Sequence, residues 1–141
     1  MNGVAAVLML ALVAAPSLDE IKKEPDLEKR CERALEAAES ALKSSKALLA
    51  EGGSVDELQQ RMEIVVGGVE LSLQALHDTG KRPYKLERSY KRGELKTREM
   101  LKQLDSLVAA IAFDNRPPAE KARDRLLVLH EEYLLGAMSG K

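Results

Sequence analysis

The chain has 141 residues and a formal charge of -1, with 45% hydrophobic and 32% charged residues. That length suits one domain and excludes two ordinary cores, and the apolar content excludes a disordered polar chain. A near-neutral balance excludes a global attraction to nucleic acid or to anionic membranes, leaving only local patches to argue from. Aromatic residues make up 3%, with no Trp and one Phe, while Ala, Leu, Glu, Lys and Arg prevail. This composition belongs to long packed helices rather than to strands, which favour β-branched and aromatic residues.

The first segment runs unbroken and apolar from Val4 to Ala15 and is followed by Pro16-Ser17-Leu18. Such a run is too short for a membrane-spanning helix, which needs about 20 apolar residues. Small residues at Ala14, Ala15 and Ser17 supply cleavage chemistry, so residues 1–17 read as a secretory signal peptide cleaved after Ser17. The n-region lacks Lys and Arg, which departs from the usual pattern. The mature chain, residues 18–141, is then a single exported domain, periplasmic or secreted, without a transmembrane span. A lone Cys31 forms no intrachain bridge, so no disulfide framework supports the fold. Its place on an apolar stripe points to a small buried hydrophobe, with an intermolecular disulfide as the alternative.

Four helical segments follow, separated by Gly52-Gly53, by Thr79-Gly80-Lys81-Arg82-Pro83 and by Asp114-Asn115-Arg116-Pro117-Pro118, with Gly136 as a stop near the end. The first segment, about Asp26 to Glu51, carries a seam of small residues at Cys31, Ala34, Ala38, Ala41 and Ser45 beside a ridge of Leu35, Leu42 and Leu49. Such a seam lets a second helix approach closely. The next helix starts at Ser54, where Ser54-Val55-Asp56-Glu57 forms a capping box, and aligns Val55, Leu58, Met62, Val65, Val69, Leu73 and Leu76. Gly67 and Gly68 interrupt it at a cost of about 1 kcal/mol each relative to Ala, which implies a close helix contact rather than a kink. A third helix, about Tyr84 to Phe113, aligns Tyr90, Gly93, Thr97, Met100, Leu104, Leu107 and Ile111; a fourth, about Pro118 to Leu135, aligns Ala122, Leu126, Leu129 and Tyr133. Short connections between long helices make antiparallel neighbours, so the expected fold is all-α, an antiparallel up-down-up-down four-helix bundle. A long three-helix coiled coil with a packed C-terminal helix is the alternative.

Chemistry is concentrated in one place. Residues 81–102 hold nine basic and three acidic side chains, a local charge of +6. Lys81, Lys85, Arg88, Arg92 and Lys96 recur every three or four residues along one helix face, where they could follow phosphates or lipid head groups. The competing reading is a solvated face, or one that meets the acidic first helix with Glu28, Glu32, Glu36 and Glu39. Stacking partners for bases are sparse, so nucleic acid is not strongly indicated. His77 and His130 are the only imidazoles and lie toward one end of the expected bundle, which marks them as candidate metal ligands; neither falls in a metal-binding spacing. Glycine-rich phosphate loops, nucleophile elbows and Cys-His arrangements are absent from the sequence, and no cofactor is implied.

Thr79-Gly80-Lys81-Arg82-Pro83, Lys91-Arg92-Gly93-Glu94-Leu95-Lys96-Thr97-Arg98 and the stretch from Leu129 to Met138 resemble small bacterial exported helical proteins with no assigned activity. The resemblance covers roughly the C-terminal half and implies export and helicity. The sequence as a whole points to a non-enzymatic interaction or structural module of the cell envelope. Its expected partner is a protein or a second copy of itself; the alternative is an anion-binding protein using residues 81–102, and a metal sensor or enzyme comes third.

Overall fold

A computed structural model describes residues 16–140, so the signal-peptide reading, which falls on residues 1–17, lies almost wholly outside the described residues. Five α-helices and two short 3-10 turns make up the described fold, with no strand among those residues. They are α1 (Leu18–Ile21), α2 (Leu27–Ala50), α3 (Val55–Asp78), α4 (Glu87–Ala110) and α5 (Pro117–Met138), with 3-10 turns at Pro83–Leu86 and Phe113–Asn115. The four long helices match in length, 24, 24, 24 and 22 residues, which favours the bundle over the three-helix alternative.

Helix boundaries follow local chemistry. Asp26 caps α2 by accepting from the Lys29 amide at 3.1 Å, and Ser54 caps α3 by accepting from the Glu57 amide at 3.2 Å. The α2 terminus closes as a Schellman motif, with Gly53 N–H donating to Leu48 O and Gly52 N–H to Leu49 O. Gly52, at φ +74°, supplies the left-handed step this closure needs. Pro83 opens a 3-10 turn, so α4 starts at Glu87 rather than near Tyr84. Ile111 turns extended and stays buried, ending α4 short of the expected Phe113. Gly136 does not stop the last helix, which runs on to Met138, because that glycine is buried beneath an aromatic ring.

The long helices form two antiparallel hairpins, α2·α3 and α4·α5, set side by side so that α2 packs on α4 and α3 on α5. Residue pairing gives the directions. Glu32 and Glu39 meet Arg92 and Lys96 in that order, so α2 and α4 run parallel; Glu70 meets Arg125 and Ser72 meets Tyr133, so α3 and α5 do too. Chain direction therefore alternates as expected. Helices α3 and α4, consecutive in sequence, are not packed neighbours but lie across a diagonal, whereas their short connection alone predicts adjacency. The reason is that apolar stripes on both hairpins face one shared core, running from Cys31, Leu35 and Leu42 through Val65 and Val69 to Leu104, Leu126 and Tyr133. A core built this way needs the hairpins stacked face to face. The small seam of α2 is buried throughout, and α1 adds the fully buried Ile21 over the α2·α3 hairpin.

Candidate functional site

The basic face divides along its length. Arg92 pairs with Glu32, and Lys96 Nζ donates to Glu39 Oε1 at 2.5 Å, so this part of α4 holds α2. Lys91 pairs with Glu87 one turn earlier at 2.7 Å, and Glu87 is held below its ordinary pKa by that ammonium. Arg98 binds the buried Glu94 carboxylate, with Nε at 3.1 Å. Lys81, Arg82, Lys85 and Arg88 sit at the other end of the stripe, exposed, and make no ion pair among the described residues. Of these four, Lys85 has an aromatic neighbour, its ammonium standing 5.5 Å from the Tyr84 ring centre. Five residues that share a face in sequence thus have two structural fates.

His77 is exposed on the last turn of α3, whereas His130 is half-buried against α4. Thr97 Oγ1 donates to Gly93 O at 2.7 Å, so it accepts from His130 Nδ1–H at 2.8 Å, leaving Nε2 as the free acceptor. Among the described residues no group of three or more His, Cys, Asp or Glu side chains is placed to hold a metal ion.

Helical spacing puts Tyr133, Tyr90 and Gly93 on stripes and reads Gly136 as a stop, without revealing that the four interlock. Any side chain at Gly93 would overlap the Tyr133 ring, and any at Gly136 would overlap the Tyr90 ring. Each helix of the α4·α5 hairpin therefore offers a glycine socket to the other's tyrosine. The rings meet edge to face, with centroids 5.9 Å apart at 65°, a geometry worth about 0.5–1.5 kcal/mol beyond burial. Ser72 Oγ donates to Val69 O at 2.6 Å and so accepts from the Tyr133 hydroxyl at 2.5 Å, leaving the phenolic oxygen to receive the Cys31 S–H at 3.5 Å. Burial pushes the Cys31 thiol up to about 11 and Tyr133 well above its ordinary value. A thiol so held is a poor nucleophile at neutral pH, and its near-complete burial keeps the sulfur from a second chain. The cluster is a polar lock joining α2, α3 and α5.

A groove of about 550 Å³ opens between α3 and α5, floored by Met62, Val66, Pro117, Pro118 and Ala122 and crossed at one rim by Arg125 Nε to Glu70 Oε1 at 3.0 Å. No His, Cys, Ser or Tyr lines it. More informative is the outer face of α5, where Leu127, Val128, Leu134, Leu135 and Met138 are exposed, with Leu127 and Leu134, and Val128 and Leu135, each seven residues apart. The stripe expected from spacing on this helix is the inner one alone. The signal for the outer one is present in the sequence, since a segment apolar on both sides is a helix that buries two faces. No family model, no curated protein and no solved structure matches the chain.

Proposed function

We propose that this chain is an exported, non-enzymatic docking module, a helical bundle whose partner is a protein seated on the outer face of α5. What carries the reading is the row of Leu127, Val128, Leu134, Leu135 and Met138, apolar yet exposed on a bundle whose core is already complete. Exposed apolar side chains gathered on one helix face mark a contact face in soluble proteins, and the seven-residue steps Leu127–Leu134 and Val128–Leu135, two rows with exposed Glu131 between them, suit an opposing helix. The polar lock supports a structural rather than chemical role for Cys31 and Tyr133, because its groups already satisfy one another. Export rests on the apolar Val4–Ala15 run.

The test is site-specific photocrosslinking in cells that export the chain. A photoreactive residue at Val128 is expected to give one discrete protein adduct, which disappears when Leu127 and Leu134 are both changed to Gln. The same residue at Glu57, exposed on α3, is expected to give none. Equal labelling at both sites, or none at Val128, contradicts the docking face. A second reading, anion binding, is favoured by one observation, the four basic residues at positions 81, 82, 85 and 88, which are exposed and form no ion pair among the described residues.

A further inference from the structure

We propose that the end of the bundle formed by the Pro83–Leu86 turn, the start of α4 and the last turns of α5 docks on an anionic lipid surface, with Lys81, Arg82, Lys85 and Arg88 against head-group phosphates and Leu135 and Met138 at the acyl boundary. This rests on the docking-module reading and adds a second contact to it.

Two independent features meet at this end. The first is charge. Farther along α4, Arg92 and Lys96 are committed to α2, and Lys91 to Glu87, whereas the four residues before them have no acid within ion-pairing distance among the described residues. The second is apolar exposure, which is greatest on α5 at the same end: Leu135 is 69% and Met138 74% exposed. The two features are held together by packing. The Pro83–Leu86 turn rests on α5, and the Tyr90 ring lies in the Gly136 socket, one residue beyond Leu135 and two before Met138. Half-buried Tyr84 completes the set, with the Lys85 ammonium over its ring.

Either feature alone has a simpler occupant. A soluble polyanion would satisfy the bases and leave Leu135 and Met138 in water; an apolar protein groove would satisfy those two and leave four cations unpaired. A lipid interface offers both chemistries in adjacent layers, anionic phosphates above an apolar boundary, and clusters of four or more Lys and Arg beside apolar anchors suit it. Glu131 and Glu132 precede Leu135 on α5 and so stand farther from the end than the apolar pair. No described helix is long and apolar enough to cross a membrane, which leaves a surface contact as the geometry for the described residues.

The experiment is vesicle co-sedimentation of the full chain, so that any contribution of residues 1–15 is common to every arm. Vesicles of equal parts phosphatidylcholine and phosphatidylglycerol are compared with phosphatidylcholine alone, and soluble heparin is the polyanion control. The parent is expected to prefer the anionic vesicles. Arg82→Glu with Arg88→Glu should weaken that binding about tenfold or more, since each basic residue near an anionic surface is worth roughly a fivefold change. Leu135→Gln with Met138→Gln should weaken vesicle binding several-fold and leave heparin binding unchanged. All four positions are exposed, so the variants should melt with the parent; should the charge reversal melt early, Arg82→Gln with Arg88→Gln replaces it. Parental vesicle binding by either pair overturns the proposal. So does equal affinity for neutral and anionic vesicles, and heparin binding that survives while anionic vesicles are ignored overturns it in favour of a polyanion. Leu135 and Met138 belong to both faces, so the arm that separates the two readings is the charge reversal at Arg82 and Arg88, which leaves α5 untouched: loss of vesicle binding with crosslinking at Val128 retained, or the reverse, lets the membrane contact and the protein contact fail separately.

Discussion

The two hairpins solve the same packing problem by different means. In α2·α3 the helices come together through absent side chains: a methyl on Gly68 would sit 2.8 Å from the Ala34 carbonyl oxygen and 3.0 Å from Ala38 Cβ, so backbone meets backbone. In α4·α5 the glycines instead make room for bulk, each taking in a tyrosine ring from the facing helix. The difference lies in what can yield. A backbone cannot move away from Gly68 without parting the whole hairpin, while a ring can swing out of its socket at the expense of its burial and its hydrogen bonds.

The heaviest blow to the second hairpin should be Tyr133→Ala, which empties a fully buried site and unpairs Ser72 and Cys31. Chemical denaturation should show a loss of about 3–5 kcal/mol. Tyr133→Phe separates ring from hydroxyl; it leaves Ser72 without its donor and should lose about 1–3 kcal/mol. Gly93→Ala should be destabilising by about 1–3 kcal/mol through overpacking, even though Ala is the better helix former by about 1 kcal/mol.

The lock also has a pH signature. Because Cys31 has a folded pKa of about 11 against an ordinary 9.0, the unfolded chain releases the proton first. Stability from this group is fully present below pH 9 and falls as pH rises toward 11, by about 1.4 kcal/mol per unit. Cys31→Ser should make that slope shallower from pH 9 upward without abolishing it, because Tyr90 and Tyr133, also raised by burial from an ordinary 10.0, add their own loss as pH approaches 10. Smallest of all is the effect at the hairpin seam. Arg92→Glu should lose about 1 kcal/mol or less, since both partners are substantially exposed. Glu32→Lys should restore it, and Arg88→Glu should change stability negligibly.

Periodicity alone makes the helices, the small seam and most of the core legible. Cys31, Ala34, Ala38, Leu42, Val65, Leu104 and Leu126 are all buried where their spacing predicts. What stays illegible depends on which helix sits opposite which. Gly136 reads as a stop because glycine after a helical run usually is one; only the Tyr90 ring above it explains a helix that continues. The diagonal placement of α3 and α4 is hidden for the same reason, since a short connection constrains direction more tightly than adjacency. The basic stripe is visible as a unit, but its division is not, because Glu32 and Glu39 lie on a helix distant in sequence. Part of the stripe therefore belongs to folding, and the rest, Lys81, Lys85 and Arg88, makes no ion pair among the described residues.

Glycine held at contact distance by a facing backbone is what sets the first hairpin apart, and two adjacent residues isolate that effect. Gly67 faces away from α2, and a methyl there would meet only the terminal Cδ1 of Leu18 at 3.0 Å, an atom free to rotate aside. Gly68 faces the α2 backbone. Equilibrium unfolding of Gly67→Ala should show a gain of up to about 1 kcal/mol from helix propensity, and of Gly68→Ala a loss of about 1–3 kcal/mol from overpacking. Opposite signs at neighbouring positions would establish the close α2·α3 approach; two gains, or a loss at Gly67 with none at Gly68, would contradict it.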